Sequence, residues 1–250
     1  MATIISGRQP VLEALKAGAQ IEKIVLLHGA HGTAIEKIRS LARQRGVSVV
    51  EADKERFERL NPNAVSQGVI ALQPEKAYVD VFHLLDVAKE KNEPPFLLIL
   101  DDIEDPHNLG ALIRTAECAG IHGVIIPKHH SATVTETVEK TSAGATAYMP
   151  IAKVTNIAQT LEELKASGLW IIGTDAAGDR TYYDVDFHGP IAIVVGSEGK
   201  GIRRLVKEKC DFLVRIPLFG KIESLNASVA GAVVMFEAAR MRQDREGGRK

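Results

Sequence analysis

The stretch Ile191–Gly201, IAIVVGSEGKG, runs from an unbroken apolar segment straight into a glycine-rich loop. The apolar run Ile191–Val195 suits a strand covered on both faces, as in a parallel sheet, and not a strand with one wet face. Gly196, Gly199 and Gly201 remove side chains where the backbone must bend sharply or lie close to a ligand. Lys200 is followed by Gly201, so the loop lacks the hydroxyl of a P-loop, and its glycine spacing is not that of a dinucleotide-binding turn. Glu198 opposes a bound phosphate by like charge. Its bland role is to cap backbone amides of the turn. An uncharged or cationic ligand stays open.

Outward from this stretch, strand and helix signals alternate. Strands are expected at Phe96–Leu100, Gly123–Ile126, Tyr148–Ala152 (weak), Leu169–Gly173 and Phe212–Ile216. Helices are expected from Asn108 to Ala119, at Thr135–Ser142, Asn156–Ser167 and Ile202–Cys210, and at Ser224–Met241. The alternation predicts an α/β domain with a mostly parallel sheet and helices on both faces. Ligands in such sheets sit at the carboxyl ends of strands. Residues 1–75 form a second, smaller α/β unit, with helices after Pro10, over Ala34–Arg45 and over Lys54–Leu60 before Asn61-Pro62. Its strands are expected at Glu22–Leu27, Val47–Val50 and Gln67–Leu72. Residues 76–95 read as a connection. Asp80 caps a short helix there, and Pro94-Pro95 ends it. Residues 96–250 form the larger domain.

The chain has 250 residues, 45% apolar and 25% charged, with a formal net charge of −1. These are the values of a globular protein, not of a strongly basic nucleic-acid binder, although a local basic face is compatible with them. Cys118 and Cys210 form no CxxC pattern, so neither a disulfide framework nor a zinc site is expected. The N-terminal MATIISGRQP lacks the apolar core of a signal peptide, and no apolar run reaches membrane-spanning length. A cytoplasmic protein without membrane contact is expected.

Three polar segments follow strands of the larger domain: Asp101–Arg114 (DDIEDPHNLGALIR), Gly196–Gly201, and Ile216–Asn226 (IPLFGKIESLN). If their strands are parallel, the three loops converge on one end of the sheet. Asp101, Asp102 and Asp105 spell DDxxD, but Pro106 places them in a turn and not on one helical face, so no metal is expected. Asn108 is the expected cap of the following helix, and Ser224 that of the last one. Capping explains Asn226 less well, because Asn is a poor residue within a helix.

The three loops together carry a family pattern. N-x-G-x-x-x-R-x-A stands as Asn108, Gly110, Arg114 and Ala116. G-x-E-x-x-G stands as Gly196, Glu198 and Gly201. I-P-x-x-G-x-x-x-S-L-N stands as Ile216, Pro217, Gly220, Ser224, Leu225 and Asn226. In order and spacing this resembles the SpoU (TrmH) family of S-adenosylmethionine-dependent RNA 2′-O-ribose methyltransferases, in the SPOUT superfamily. The N-terminal unit is similar to the L30e-like RNA substrate-binding domain of many members. Ser6–Leu15 (SGRQPVLEAL) and Ser66–Ala71 (SQGVIA) are its marks, with Ser66 where many relatives have His.

The resemblance implies a trefoil-knot methyltransferase domain, a homodimer with active sites at the interface, and S-adenosyl-L-methionine as cofactor. It implies that Gly196, Ile216 and Leu225 offer backbone groups to the adenosyl part, with Leu218 and Ser224 nearby. Arg114 is the implied catalytic residue, and Asn108, Glu198, Ser224 and Asn226 orient it or the ribose. Arginine is effectively always protonated. Arg114 therefore either has its pKa depressed by a neighbouring cation and by burial, or binds phosphate and stabilises an alkoxide while another group takes the proton. The second reading agrees better with the physics. The implied partner is RNA, with a guanosine of 23S rRNA as the expected target. A tRNA ribose, or a non-catalytic RNA-binding role, is the alternative. Arg8 and Gln67 are candidate RNA contacts in the small unit. Arg203, Arg204, Lys207, Lys209, Arg215 and Lys221 form a basic region in the large one, which is equally well read as a solvated face.

Overall fold

The computed structural model describes residues 3–19, 21–60, 66–73, 78–222 and 224–247. The expected stop at Asn61-Pro62 lies outside them. The chain divides into two compact units, Met1–Ala77 and Tyr78–Lys250.

The first unit runs β1 (Thr3–Ser6), α1 (Arg8–Ala17), β2 (Lys23–Leu27), α2 (Thr33–Gln44), β3 (Ser48–Ala52), α3 (Lys54–Leu60), β4 (Val69–Gln73). Its sheet has the order β1-β4-β2-β3, with β4 antiparallel to both neighbours and β2 parallel to β3. Alternate residues of β2 face opposite sides: Ile24 and Leu26 join Leu15, Ile35 and Ile38, whereas Val25 joins Phe57 and Ile70. The sequence reading missed β1, a short strand immediately before a helix. It is held by pairing with β4.

The second unit opens with α4 (Val81–Glu90), in the stretch read as a connection. Asp80 caps it as expected, accepting the Phe82 N–H at 2.9 Å. Leu84 and Ala88 are fully buried on the second sheet. Then follow β5 (Phe96–Asp101), α5 (Pro106–Cys118), β6 (Gly123–Pro127), α6 (Glu136–Thr141), β7 (Ile151–Val154), α7 (Ile157–Ala166), β8 (Trp170–Thr174), β9 (Arg180–Thr181), β10 (Ile191–Gly196), α8 (Arg204–Lys207), β11 (Phe212–Arg215) and α9 (Ala227–Gly247). All strand pairs of this sheet are parallel, in the order β7-β6-β5-β10-β8-β11-β9. Every residue of β5 and β10 is buried. Phe96, Leu98 and Leu100 pack on the side of α5 and α9, and Leu97 and Ile99 on the side of α4 and α7. Burial on both faces is why these strands read as unbroken apolar runs.

The order of the central strands decides where the site lies. β5 and β10 are neighbours, and β8 stands between β10 and β11. The three motif loops therefore leave the same sheet edge, and the loop after β8 leaves it among them.

Two expected caps are corrected. The α5 cap is Asp105, which accepts the His107 N–H at 3.0 Å, with Pro106 at the first helical position. Asn108 thus lies inside the first turn. At α9, Asn226 and not Ser224 is the cap: its Oδ1 accepts the N–H of Ser228 at 2.9 Å and of Val229 at 3.4 Å.

Candidate active site

Capping fixes how Asn226 is turned. Its oxygen must face the helix amides, so its Nδ2 faces the other way. There it donates to Asn108 Oδ1 at 3.0 Å and to Glu198 Oε2 at 3.2 Å. One amide group thus joins all three motif loops. The Asp105 cap is what frees Asn108 for this bond, since Asp105 already serves the α5 amides.

The glycine loop is folded tightly on itself. Ser197 and Gly201 exchange backbone hydrogen bonds at 3.1 and 2.9 Å. A Cβ on Gly196 would lie 2.2 Å from the carbonyl carbon of Gly201 and 2.3 Å from the nitrogen of Ile202. Only glycine lets the chain return across the end of β10. Gly110 serves helix packing in a similar way, since a Cβ there would come within 2.7 Å of Thr141 Cβ on α6.

A cavity of about 310 Å³ opens beside this loop. Gly196–Gly201 form one wall, and Ile216, Leu218, Ser224 and Leu225 another. All four expected cofactor residues, Gly196, Ile216, Leu218 and Leu225, therefore face one cavity. Thr174, Asp175 and Ala176 complete it. The sequence reading missed these three. Their signal was a strand of this sheet followed by a polar turn, but only the strand order shows that β8 ends between the motif loops. The walls fit an adenosyl sulfonium compound. Val195, Val214 and Ile216 supply apolar surface for a nucleoside, and Glu198, Asp175 and Lys200 give the cavity charges of both signs, as a zwitterionic amino-acid tail requires. Asp175 is itself paired with Lys207 at 2.9 Å.

Arg114 is exposed on α5 and makes no hydrogen bond or ion pair with Asn108, Glu198, Ser224 or Asn226. Most of the basic region has partners within the chain, several of them at the surface. Arg203 binds Asp101, Arg204 pairs with Glu208, Lys207 with Asp175 and Lys209 with Glu162, and Arg215 donates to the Gly178 carbonyl. Hydrogen bonding to Asp101 raises the pKa of the Arg203 guanidinium further still. Lys221 is exposed. In the first unit Arg8 and Gln67 meet: Arg8 Nε donates to the Gln67 carbonyl at 3.0 Å, and the Arg8 N–H to its Oε1 at 3.3 Å. The two marks of that unit, far apart in sequence, are thus one local structure.

Of the DDxxD carboxylates, Asp101 ends β5 and Asp102 and Asp105 lie in the turn that follows it. Asp102, Glu104 and His130 bring potential ligand atoms within 4.8 Å of one another. Partly exposed acidic groups of this kind do not by themselves define an ion site. Burial pushes the Cys210 thiol up to about 12, away from the thiolate form.

Fold and cavity define a two-unit α/β protein whose ligand pocket is built from loops at the carboxyl edge of a parallel sheet. Residues 95–236 match the model of the SpoU rRNA Methylase family, and residues 4–79 that of RNA 2′-O ribose methyltransferase substrate binding. A Bacillus subtilis (strain 168) protein described as TrmH family tRNA/rRNA methyltransferase YacO is 42% identical over 238 residues, covering 95% of each chain. An AdoMet-bound rRNA methyltransferase from Sinorhizobium meliloti is 25% identical with a TM-score of 0.62, over 96% of this chain and 87% of that one. The SpoU methyltransferase AviRb from Streptomyces viridochromogenes, solved with AdoMet, shares the fold at a TM-score of 0.64 and 24% identity, over 96% and 90% of the two chains. The chain belongs to the SpoU rRNA methylase family.

Proposed function

We propose that this chain methylates a ribose 2′-oxygen of RNA from S-adenosylmethionine, and that its target is a guanosine of 23S rRNA. The observation that carries the reading is the Asn226 amide, which joins Asn108 and Glu198 beside the cavity. When bound, S-adenosylmethionine supplies an electrophilic methyl group. An S–CH3 bond breaks, an O–CH3 bond forms, and the hydroxyl proton must leave. The protein's work is alignment and removal of that proton. We assign the proton to Glu198, the carboxylate hydrogen-bonded into the network. Arg114, through its guanidinium, binds the RNA phosphate and steadies the developing alkoxide.

The exposure of Arg114 agrees with a site completed in a homodimer. So do the half-exposed Val229 and Phe236 on α9 and the almost fully exposed Phe219. The knotted fold of the larger domain is carried by the family match over residues 95–236. Arg8, Gln67 and Lys221 are assigned to RNA. Among the described residues no helix is long and apolar enough to cross a membrane.

Mapping 2′-O-methyl positions in rRNA and tRNA with and without the protein tests the target. Loss of one 23S guanosine mark supports the reading, whereas loss of a tRNA mark replaces it. Arg114→Ala is expected to abolish methylation with AdoMet affinity near wild type by calorimetry. Arg114→Lys is expected to retain part of the RNA binding. Loss of AdoMet affinity in Arg114→Ala would remove Arg114 from this role.

A further inference from the structure

Asp101 ends β5 and has no exposed surface. A carboxylate removed from water is costly unless its charge and lone pairs are matched. Here both are. Oδ2 accepts the backbone N–H of Arg203 at 2.8 Å, and Oδ1 accepts Arg203 Nε at 2.8 Å and its terminal nitrogen at 2.5 Å. The partners are 102 residues apart, so this is a tertiary bond and no local turn.

Its location matters more than its strength. Asp101 is paired in register with Gly196 across β5 and β10. From Gly196 the chain turns through Ser197–Gly201, closes on itself there, and lies back against Gly196 at Gly201 and Ile202. Arg203 comes next and is fastened to Asp101. Both ends of the loop are therefore held at one point of the sheet edge, with Glu198 at its turn. From the same Asp101 the chain continues to the Asp105 cap and to Asn108. One carboxylate thus stands at the root of both loops that Asn226 bridges.

We propose that Asp101 and Arg203 are positioning residues for methyl transfer. Their pairing sets the glycine-loop wall of the cofactor cavity, and the place of Glu198, relative to Asn108. Asp101 itself lines no part of that cavity. The inference rests on the reading that the cavity holds S-adenosylmethionine.

A merely stabilising pair would lower the melting temperature and leave the folded protein's AdoMet affinity unchanged. The test uses full-length wild type, Asp101→Asn and Arg203→Lys. It measures AdoMet affinity by calorimetry, kcat, KM for RNA, and hydrogen exchange at Ser197–Ile202. Asp101→Asn is expected to weaken AdoMet binding about tenfold or more and to lower kcat by about ten- to a hundredfold. KM for RNA stays within about twofold, and exchange quickens at Ser197–Ile202. Arg203→Lys, which keeps the charge without the planar fork, falls between. If Asp101→Asn does not fold, Arg203→Lys and Arg203→Gln carry the same expectations, because the Arg203 side chain is 42% exposed. Unchanged affinity and exchange in folded variants overturn the proposal. A wild type that binds AdoMet but methylates no RNA overturns the RNA reading alone, since affinity and exchange are read without RNA. A wild type that binds no AdoMet overturns both.

Discussion

Two loops of this protein are each held by an arginine, and the two holds differ in kind. In the first unit Arg8 fastens the Ser66–Gly68 turn through backbone and amide groups at an exposed position. In the second unit Arg203 fastens the Gly196–Gly201 loop through a carboxylate with no exposed surface. An exposed tie competes with water and contributes little. The Asp101 carboxylate is different: without Arg203 it is left unpaired and out of reach of solvent, which is strongly destabilising. The terminal nitrogens of Arg8 make no hydrogen bond among the described residues, so they are open to a phosphate. One terminal nitrogen of Arg203 donates to Asp101, and the side chain is 42% exposed.

The glycines of the two loops give the largest contrast. Gly196→Ala drives a methyl group to 2.2 Å from backbone. It is expected to cost more than about 4 kcal/mol and to abolish AdoMet binding. Gly68→Ala meets only side-chain carbons, the nearest at 3.4 Å, and is strained only by its φ of +79°. It is expected to cost about 1–2 kcal/mol. Chemical denaturation of both variants checks this, and equal losses would erase the distinction between the loops.

A smaller effect separates the arginines. Arg8→Ala is expected to weaken RNA binding and to reduce the slope of log affinity against log salt by about 1, whereas Arg203→Ala leaves that slope unchanged. The reverse pattern would exchange their roles.

The smallest effect concerns pH and only the second unit. His122 is buried, accepts the Phe96 N–H on Nδ1 at 3.0 Å, and shares Nε2 with Glu93 at 3.0 Å. Nδ1 is therefore unprotonated and the ring neutral. Burial lowers its pKa below the ordinary value near 6.5, and the bond to Glu93 opposes this only in part. As pH falls below about 6.5 the unfolded chain takes up a proton that the fold resists, so stability is lost. Unfolding midpoints measured between pH 8 and pH 5 are expected to fall, and to fall less in His122→Gln. An equal fall in both would move the effect to other groups.

Much of the site was readable from residue types and spacing. The apolar runs of β5 and β10 announced a parallel sheet, and the three motif loops do meet at one edge, around Asn226. What was misread follows a common cause. Asn108 and Ser224 looked like caps because capping residues are recognised by type, and Asp105 and Asn226 are of the same type nearby. β9 pairs only through two residues beside β11, too short a run to show a period. The basic stretch around Arg203–Arg215 reads equally as an RNA face or a solvated face, because sequence shows the charges and not which carboxylates they meet.

The sequence by itself determined the class of fold, the order of the elements and the chemistry available at each loop. Those depend on local periodicity, turn residues and motif spacing, which are written along the chain. Tertiary structure alone decided which groups meet. The β8 loop enters the cavity because β8 lies between β10 and β11. Arg203 is fastened to Asp101 because the chain that leaves Gly196, the strand partner of Asp101, returns to that strand end. Pairing across long loops is set by strand order and burial, and neither is a property of any single stretch of residues.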